Sequence, residues 1–365
     1  MAVDTHCLPN GSLGTAELPV CGINTGTVTV SDPGSGNRRG IIVFIHGLQA
    51  SVVSKFPQPV SNNGTTSFYN RFGDFESAVV ADGWVFVYPS VQEDFYSGQN
   101  SIVGIYNDVA ADSGHGSRYL ASTLHWWDHI VTWITATYGS NHPTVVTGFS
   151  FGAFKTLQIA ANRTVSGYAA HCPATLLGNC GVAYTPPETF SNITWTGLNL
   201  STTAMNAVTV PGIIGYGTND TAVGYNLAGT GGTPVSNTDS IITNAVNAGQ
   251  PVTRNATSET HEFTGTPSAV TGLASSGTLT QSGSILTMQA STSAFPSTGA
   301  LALVHSGTTH FVNYTGTSGS TFSGATIPTG SLTVSSGDAV SGGTDAITYA
   351  AWVASTLNPY YPVSF

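Results

Sequence analysis

The residues that most limit the fold are Thr147-Gly148-Phe149-Ser150-Phe151-Gly152-Ala153, where an apolar run meets Gly-x-Ser-x-Gly and passes directly into a helical pattern. Small residues two positions either side of a serine let a strand turn sharply into a helix. The turn exposes the hydroxyl and leaves the next amide at the helix start, where negative charge is favoured. The pattern occurs once, and it demands a strand before it and a helix after it.

The rest of the chain supplies that context. From about residue 26 to 262, short β-branched runs alternate with helical patterns, which predicts a mostly parallel sheet flanked by helices. The candidate strands are 41–45, 85–88, 144–147, 212–216 and 252–259, each followed by a polar or glycine-containing loop. Leu120, Leu124, Trp127, Val131, Ile134 and Tyr138 recur at helical spacing as one apolar stripe, and Gly139 ends that helix. A last helix starts at Asp345, aligns Ile347, Ala350, Ala354 and Leu357, and stops before Pro359. It is expected to pack back on the sheet.

Between Thr264 and Gly337 there is no Asp, Glu, Lys or Arg, and Ser, Thr and Gly dominate around short alternating runs such as Leu301 to His305 and Thr309 to Tyr314. This composition break predicts an inserted all-β module. The expected organisation is therefore an N-terminal extension 1–25, an α/β domain 26–264, the module 265–341, and a helical segment 342–365 that completes the α/β domain. A chain of 365 residues accommodates an α/β domain of roughly 250 residues plus a module of under 100.

Composition narrows the partners. Charged residues are only 7%, with 8 Lys and Arg against 18 Asp and Glu and a net charge of −10, so nucleic acid is not an expected partner. No apolar stretch approaches the ~18 residues of a membrane span. The N-terminus has neither a basic nor an apolar region and does not read as a secretory signal. Cys7 with Cys21 and Cys172 with Cys180 fall as two local pairs, as two disulfide-closed loops would, with buried thiols as the alternative.

A serine nucleophile needs a base, an acid that holds the base, and a second oxyanion donor. Val43-Phe44-Ile45-His46-Gly47-Leu48 reads as a strand ending in His-Gly, which makes the Leu48 amide the candidate second donor beside that of Phe151. His46 precedes the serine and suits a packed loop residue better than a base. Asp220, in Gly217-Thr218-Asn219-Asp220-Thr221-Ala222-Val223 just past a strand, is the candidate acid. The competing Asp239 reads as the N-cap of a helix over 241–248. His261, two residues after a probable strand, is the candidate base, in the order serine, acid, histidine.

These motifs resemble the α/β-hydrolase fold, and particularly the polyhydroxyalkanoate depolymerase and feruloyl esterase branch of serine esterases. The resemblance rests on His46-Gly47, Gly148 to Gly152, Gly217 to Val223, His261 and the terminal helix bearing Trp352. It covers roughly 26–263 and 343–359. It implies a Ser150, Asp220, His261 triad, an oxyanion hole from Phe151 and Leu48, ester hydrolysis through an acyl-enzyme, and no cofactor or metal. Phe151 departs from the small or polar residue frequent there, which leaves the acyl pocket open.

The neutral module, with Gln289 to Pro296, Asn313 to Thr317 and Thr321 to Gly324, resembles small β modules in tail proteins of actinobacterial phages. That implies a virion-tail or extracellular location, an ester-bearing small molecule or host-envelope polymer as substrate, and other tail proteins as partners. The alternatives are an inactive structural or receptor-binding tail protein, and a peptidase or amidase using the same triad. His125 and His129 share a helix flank, but Trp126 stands where a zinc protease places its glutamate. Asp108, Asp112 and His115 lack EF-hand spacing and read as a solvated loop. Phe95, Tyr96, Tyr106, Trp126 and Trp127 are unranked pocket or core aromatics.

Overall fold

Two kinds of strand divide this chain: fully apolar runs that lie buried on both faces, and alternating runs that bury one face only. A computed structural model describes residues 2–7, 27–45, 69–89, 115–175, 200–220, 234–257, 269–327, 330–342 and 345–364. In the first part the strands are β1 (Ala2–Cys7), β2 (Thr27–Asp32), β3 (Gly40–Ile45), β4 (Trp84–Pro89), β5 (Thr144–Phe149), β6 (Gly167–His171), β7 (Gly212–Gly217) and β8 (Val252–Thr257). The helices are α1 (Tyr69–Ala81), α2 (His115–Tyr138), α3 (Phe151–Asn162) and α4 (Pro234–Asn247).

These strands form one eight-stranded sheet in the order β1-β2-β4-β3-β5-β6-β7-β8. β1 and β2 run antiparallel to their neighbours, whereas β3, β5, β6, β7 and β8 are mutually parallel. The sequences of β3 (GIIVFI) and β4 (WVFVYP) are buried at every position, the signature of strands covered on both faces. Phe44 stacks on Phe86 and Tyr88 at 5.9 Å across the middle of the sheet. A mostly parallel sheet in this order, with the serine turn leaving its fifth strand, is the α/β-hydrolase fold.

Three local expectations shift. β1 lies within the stretch read as an N-terminal extension, and its residues pair with β2 as the sheet's edge strand. β6 is an additional strand, too short and too alanine-rich to stand out as β-branched. Among the described side chains of α2 the buried ones are Thr123, Trp127, Ile130, Trp133 and Ile134, so the stripe is rotated from the one through Val131 and Tyr138. Gly139, at φ 94°, ends the helix in a left-handed conformation, with its amide donating to Thr135 O.

The described chain falls into two compact units. The first holds β1 to β3, most of β4, α2 to α4 and β5 to β8. The second holds α1 and residues 33–39 together with strands β9 (Ala269–Gly272), β10 (Gly277–Thr280), β11 (Ser284–Thr287), β12 (Gly299–His305), β13 (Thr308–Tyr314), β14 (Gly316–Ser318), β15 (Thr321–Ala325), β16 (Ser331–Val334) and β17 (Ala339–Gly342), and the helix α5 (Asp345–Trp352). Its strands pair antiparallel, in sheets ordered β10-β16, β11-β15-β14 and β13-β12-β17-β9, with one isolated parallel bridge between Thr280 and Thr326.

Period-two alternation explains how β12 serves two cores. Leu301 and Leu303 point into the module's own core, where Phe322 meets Phe295 at 5.0 Å and Tyr314 at 4.7 Å. Ala300 and Ala302 point the other way and receive Ile347 and Ala351 of α5. Residues 342–365, expected to complete the hydrolase domain, thus find an apolar partner in the module and group with it and α1. Past α5 the chain makes a π turn over Val353–Leu357, and the Asn358 amide donates to Val353 O. Asn358 accepts a 2.8 Å hydrogen bond from the Trp84 indole and donates to the Asp82 carboxylate.

Candidate active site

β5 delivers its last residue, Phe149, to the carboxyl edge of the sheet, and α3 starts two residues later. Ser150 makes the whole reversal at φ 58° and ψ −118°, a region that disfavours any residue with a Cβ. The main chain around it is pinned on three sides. The Ser150 amide donates to His171 O at 2.9 Å, and its carbonyl accepts from Phe154 N at 3.1 Å and Ala174 N at 3.2 Å.

Gly148 is required by this geometry. A Cβ there would sit 2.5 Å from the Gly152 carbonyl oxygen and 2.7 Å from Thr156 Oγ1, so α3 could not start where it does. Thr156 turns its hydroxyl back onto Gly152 O at 2.9 Å and stays fully buried. Although Ser150 occupies the N-cap position, its side chain does not cap α3. The first-turn amides, beginning with that of Phe151, are left at the positive end of the helix dipole. Ser150 itself is 9% exposed.

The adjacent parallel strands end at the same edge. Gly148 and Phe149 of β5 pair with Ala170 and His171 of β6, His171 with Gly215 of β7, and Gly217 of β7 with Thr257 of β8. Asp220 follows β7 by three residues in a turn closed by its amide on Gly217 O, and is 6% exposed. Ser150 and Asp220 are therefore carried past the ends of β5 and β7 on one edge of the sheet. His261, His46 and Leu48 lie outside the described residues, beyond the ends of β8 and β3.

Asp239 is not an N-cap. It sits inside α4, which begins five residues earlier at Pro234, and its carboxylate accepts a 2.6 Å hydrogen bond from Tyr216. Arg254 pairs with the same oxygen at 3.0 Å. Burial, then the bond to Asp239, pushes the Tyr216 phenol up to about 12. That carboxylate is committed to holding α4 on β7 and β8.

Sequence reasoning did not single out β6, whose end borders the serine turn. His171 is buried and stacks on Phe149 with ring centres 6.0 Å apart, while its carbonyl holds the Ser150 amide. Cys172, at φ 48°, is a buried thiol rather than half of a disulfide, and its amide donates to Gly215 O. Of the two readings left open for Cys172, a bridge to Cys180 or a buried thiol, the structure has the buried thiol. Cys21 and Cys180 lie outside the described residues, as do Asp108, Asp112, Phe95, Tyr96, Tyr106 and the side chains of His115, His125, Trp126 and His129; Trp127 is core. Among the described residues no three His, Cys, Asp or Glu side chains converge as a metal-ligand set, and no helix is long and apolar enough to cross a membrane.

No family model matches the chain, and no curated relative does. Solved structures do match by shape. An acylaminoacyl peptidase of Pyrococcus horikoshii aligns over 71% of this chain at 10% identity and a TM-score of 0.46. The chain spans 37% of that peptidase's length. A putative dienelactone hydrolase of Klebsiella pneumoniae aligns over 72% of this chain and 89% of its own, at 12% identity and a TM-score of 0.44. An esterase domain from a Rhodothermus marinus protein aligns over 72% and 90%, at 12% identity and a TM-score of 0.42.

Proposed function

We propose that the chain is a serine hydrolase that cleaves an ester through an acyl-enzyme. The observation that supports this most is Ser150 held at φ 58° on a strand-to-helix turn, its side chain unused as a helix cap. In the proposed reaction His261 Nε2 takes the proton from Ser150 Oγ as the oxygen attacks the ester carbonyl. The amides of Phe151 and Leu48 receive the oxyanion, and Asp220 orients the imidazole. Collapse breaks the carbonyl–alkoxy bond, and His261 passes its proton to the departing alcohol. Water, deprotonated by the same imidazole, then releases the acid and restores Ser150. Each step uses side chains and amides of this chain alone.

The ester preference rests on the motif resemblance to the depolymerase and feruloyl esterase branch. On the same footing, the nearly charge-free module supports a place in a phage tail, with an ester or polyester of the host envelope as substrate. A fluorophosphonate, read as one adduct by intact mass and located by peptide mapping, tests the nucleophile. Labelling on Ser150 that disappears in Ser150→Ala is the expected result; folded protein that takes no label is an inactive scaffold. Faster turnover of peptide anilides than of short nitrophenyl esters reassigns the leaving group to an amine.

A further inference from the structure

In the second unit α5 packs against both α1 and the β12–β13 hairpin, and the side chains where the three meet are small: Ala78, Ala81, Ala302, Gly307 and Ala346. They leave a cleft of about 800 Å³, inside the range of roughly 300–1,000 Å³ typical of pockets for small organic ligands. A second hollow of about 330 Å³ shares Asp82, Thr309, His310 and Phe311 with the first and carries it towards Arg39 and Asn358.

The lining has a definite chemistry. Phe311 lies on an apolar base of Ala302 and Ile347, while Ser77, Thr308, Thr309 and Ser341 bring hydroxyls to the walls. Among the described residues the only formal charges lining either hollow are Arg39 and Asp82, and both are engaged. Arg39 donates to the Asp82 carbonyl at 2.6 Å and to Tyr361 O at 3.2 Å, and the Asp82 carboxylate accepts from Asn358. Burial, reinforced by nearby His305, keeps the His310 imidazole below its ordinary value of 6.5. At neutral pH it is an uncharged group with one donor and one acceptor.

A lipid tail would leave the wall hydroxyls without partners, and an anion would meet a carboxylate with, among the described residues, no uncommitted cation beside it. A ring with a C–H face and hydroxyls around its edge satisfies both parts of the lining, the face over Phe311 and the edge against Thr308, Thr309, Ser341 and His310. We propose that this cleft is a binding site for a neutral saccharide, of about disaccharide size, separate from Ser150.

The test is calorimetric titration of the full chain with maltose, cellobiose, lactose and N,N′-diacetylchitobiose. Ser77 and Thr309 are exposed, so Ser77→Trp and Thr309→Trp fill the cleft without entering a core. At least one sugar is expected to bind saturably, at least about tenfold more weakly in either tryptophan variant, and unchanged in Ser150→Ala. If a tryptophan variant does not fold, Thr309→Val, which removes one hydroxyl at constant shape, supplies the comparison with a several-fold loss. No saturable binding of any of the four sugars, or equal binding by parent and folded variants, overturns the assignment. Because the readout does not pass through Ser150, failure here leaves the hydrolase reading standing, and the converse also holds.

Discussion

Gly148→Ala offers a direct probe of the serine turn. The added Cβ would lie 2.5 Å from Gly152 O, so restoring an ordinary 3.4 Å contact requires about 0.9 Å of movement between β5 and the start of α3. Overpacking of this kind typically costs about 1–3 kcal/mol. In a unit of this size that lowers the melting temperature by about 2–4 °C per kcal/mol. The same displacement moves the Phe151 amide relative to Ser150 Oγ, and a misplacement near 1 Å can slow chemistry by about 10². Labelling by a fluorophosphonate should therefore slow by about two orders of magnitude in protein that is still folded at the assay temperature. Gly212→Ala is the matched control. Its Cβ would strike the Tyr168 ring at 2.0 Å, far from the elbow in sequence and at the opposite end of β7 from Asp220. It should destabilise at least as much while folded molecules label at the parental rate. Parental labelling by Gly148→Ala, or equal slowing in both variants, would refute the claim that steric fit at 148 positions the oxyanion donor.

Exchanging carboxylates separates the candidate acid from its competitor. Asp220→Asn should slow labelling by about 10² or more, whereas Asp239→Asn should leave the rate intact and lower the melting temperature through loss of the Tyr216 and Arg254 contacts. Ser150→Gly should abolish labelling yet raise stability by about 1 kcal/mol or more, read by chemical denaturation, because it releases a strained φ. Stability of the second unit should fall on acidification in two stages. His310, whose folded value is depressed mainly by burial, contributes stability that is lost as pH drops below 6.5, and His310→Asn should flatten melting curves there. Asp338 is held below 3.8 chiefly by the Ser335 amide and also by His305 at 2.7 Å, so its contribution persists above 3.8 and disappears only below it.

Much of this architecture was legible because buried parallel strands write themselves as unbroken apolar runs. β3, β4 and β7 fall within a residue of their expected bounds, and the Gly-x-Ser-x-Gly turn stands where the pattern demanded. The misses have physical causes. β6 reads Gly-Tyr-Ala-Ala-His, with no β-branched residue to mark it as a strand. Asp239 looked like a cap because local sequence cannot reveal Tyr216 and Arg254, which reach it from two different strands. The helix at 345 was legible as a helix, but its partner was not. Alanines at 300 and 302 form a docking face only once β12 has placed Leu301 and Leu303 on the other side.

Under the proposed reading, the strain at Ser150 is what presenting a nucleophile costs the turn. This chain contains 43 glycines and, among the described residues, uses glycine at twelve positions of positive φ. Glycine also flanks the elbow on both sides, at 148 and 152. A turn needed only for topology would be most stable with glycine at 150 too, since a side chain in that region costs of order 1–3 kcal/mol. The serine hydroxyl does not recover that energy by capping α3, which is the usual structural return from serine at a helix start. Three backbone hydrogen bonds hold the residue there nonetheless, and the Thr156 hydroxyl on Gly152 O helps fix the helix that follows. A side chain held at a positive φ, on a rigid mount, beside a row of helix-start amides fits the proposed attack of its oxygen on a bound carbonyl. The stability change in Ser150→Gly therefore measures what the strained φ at this position costs the fold.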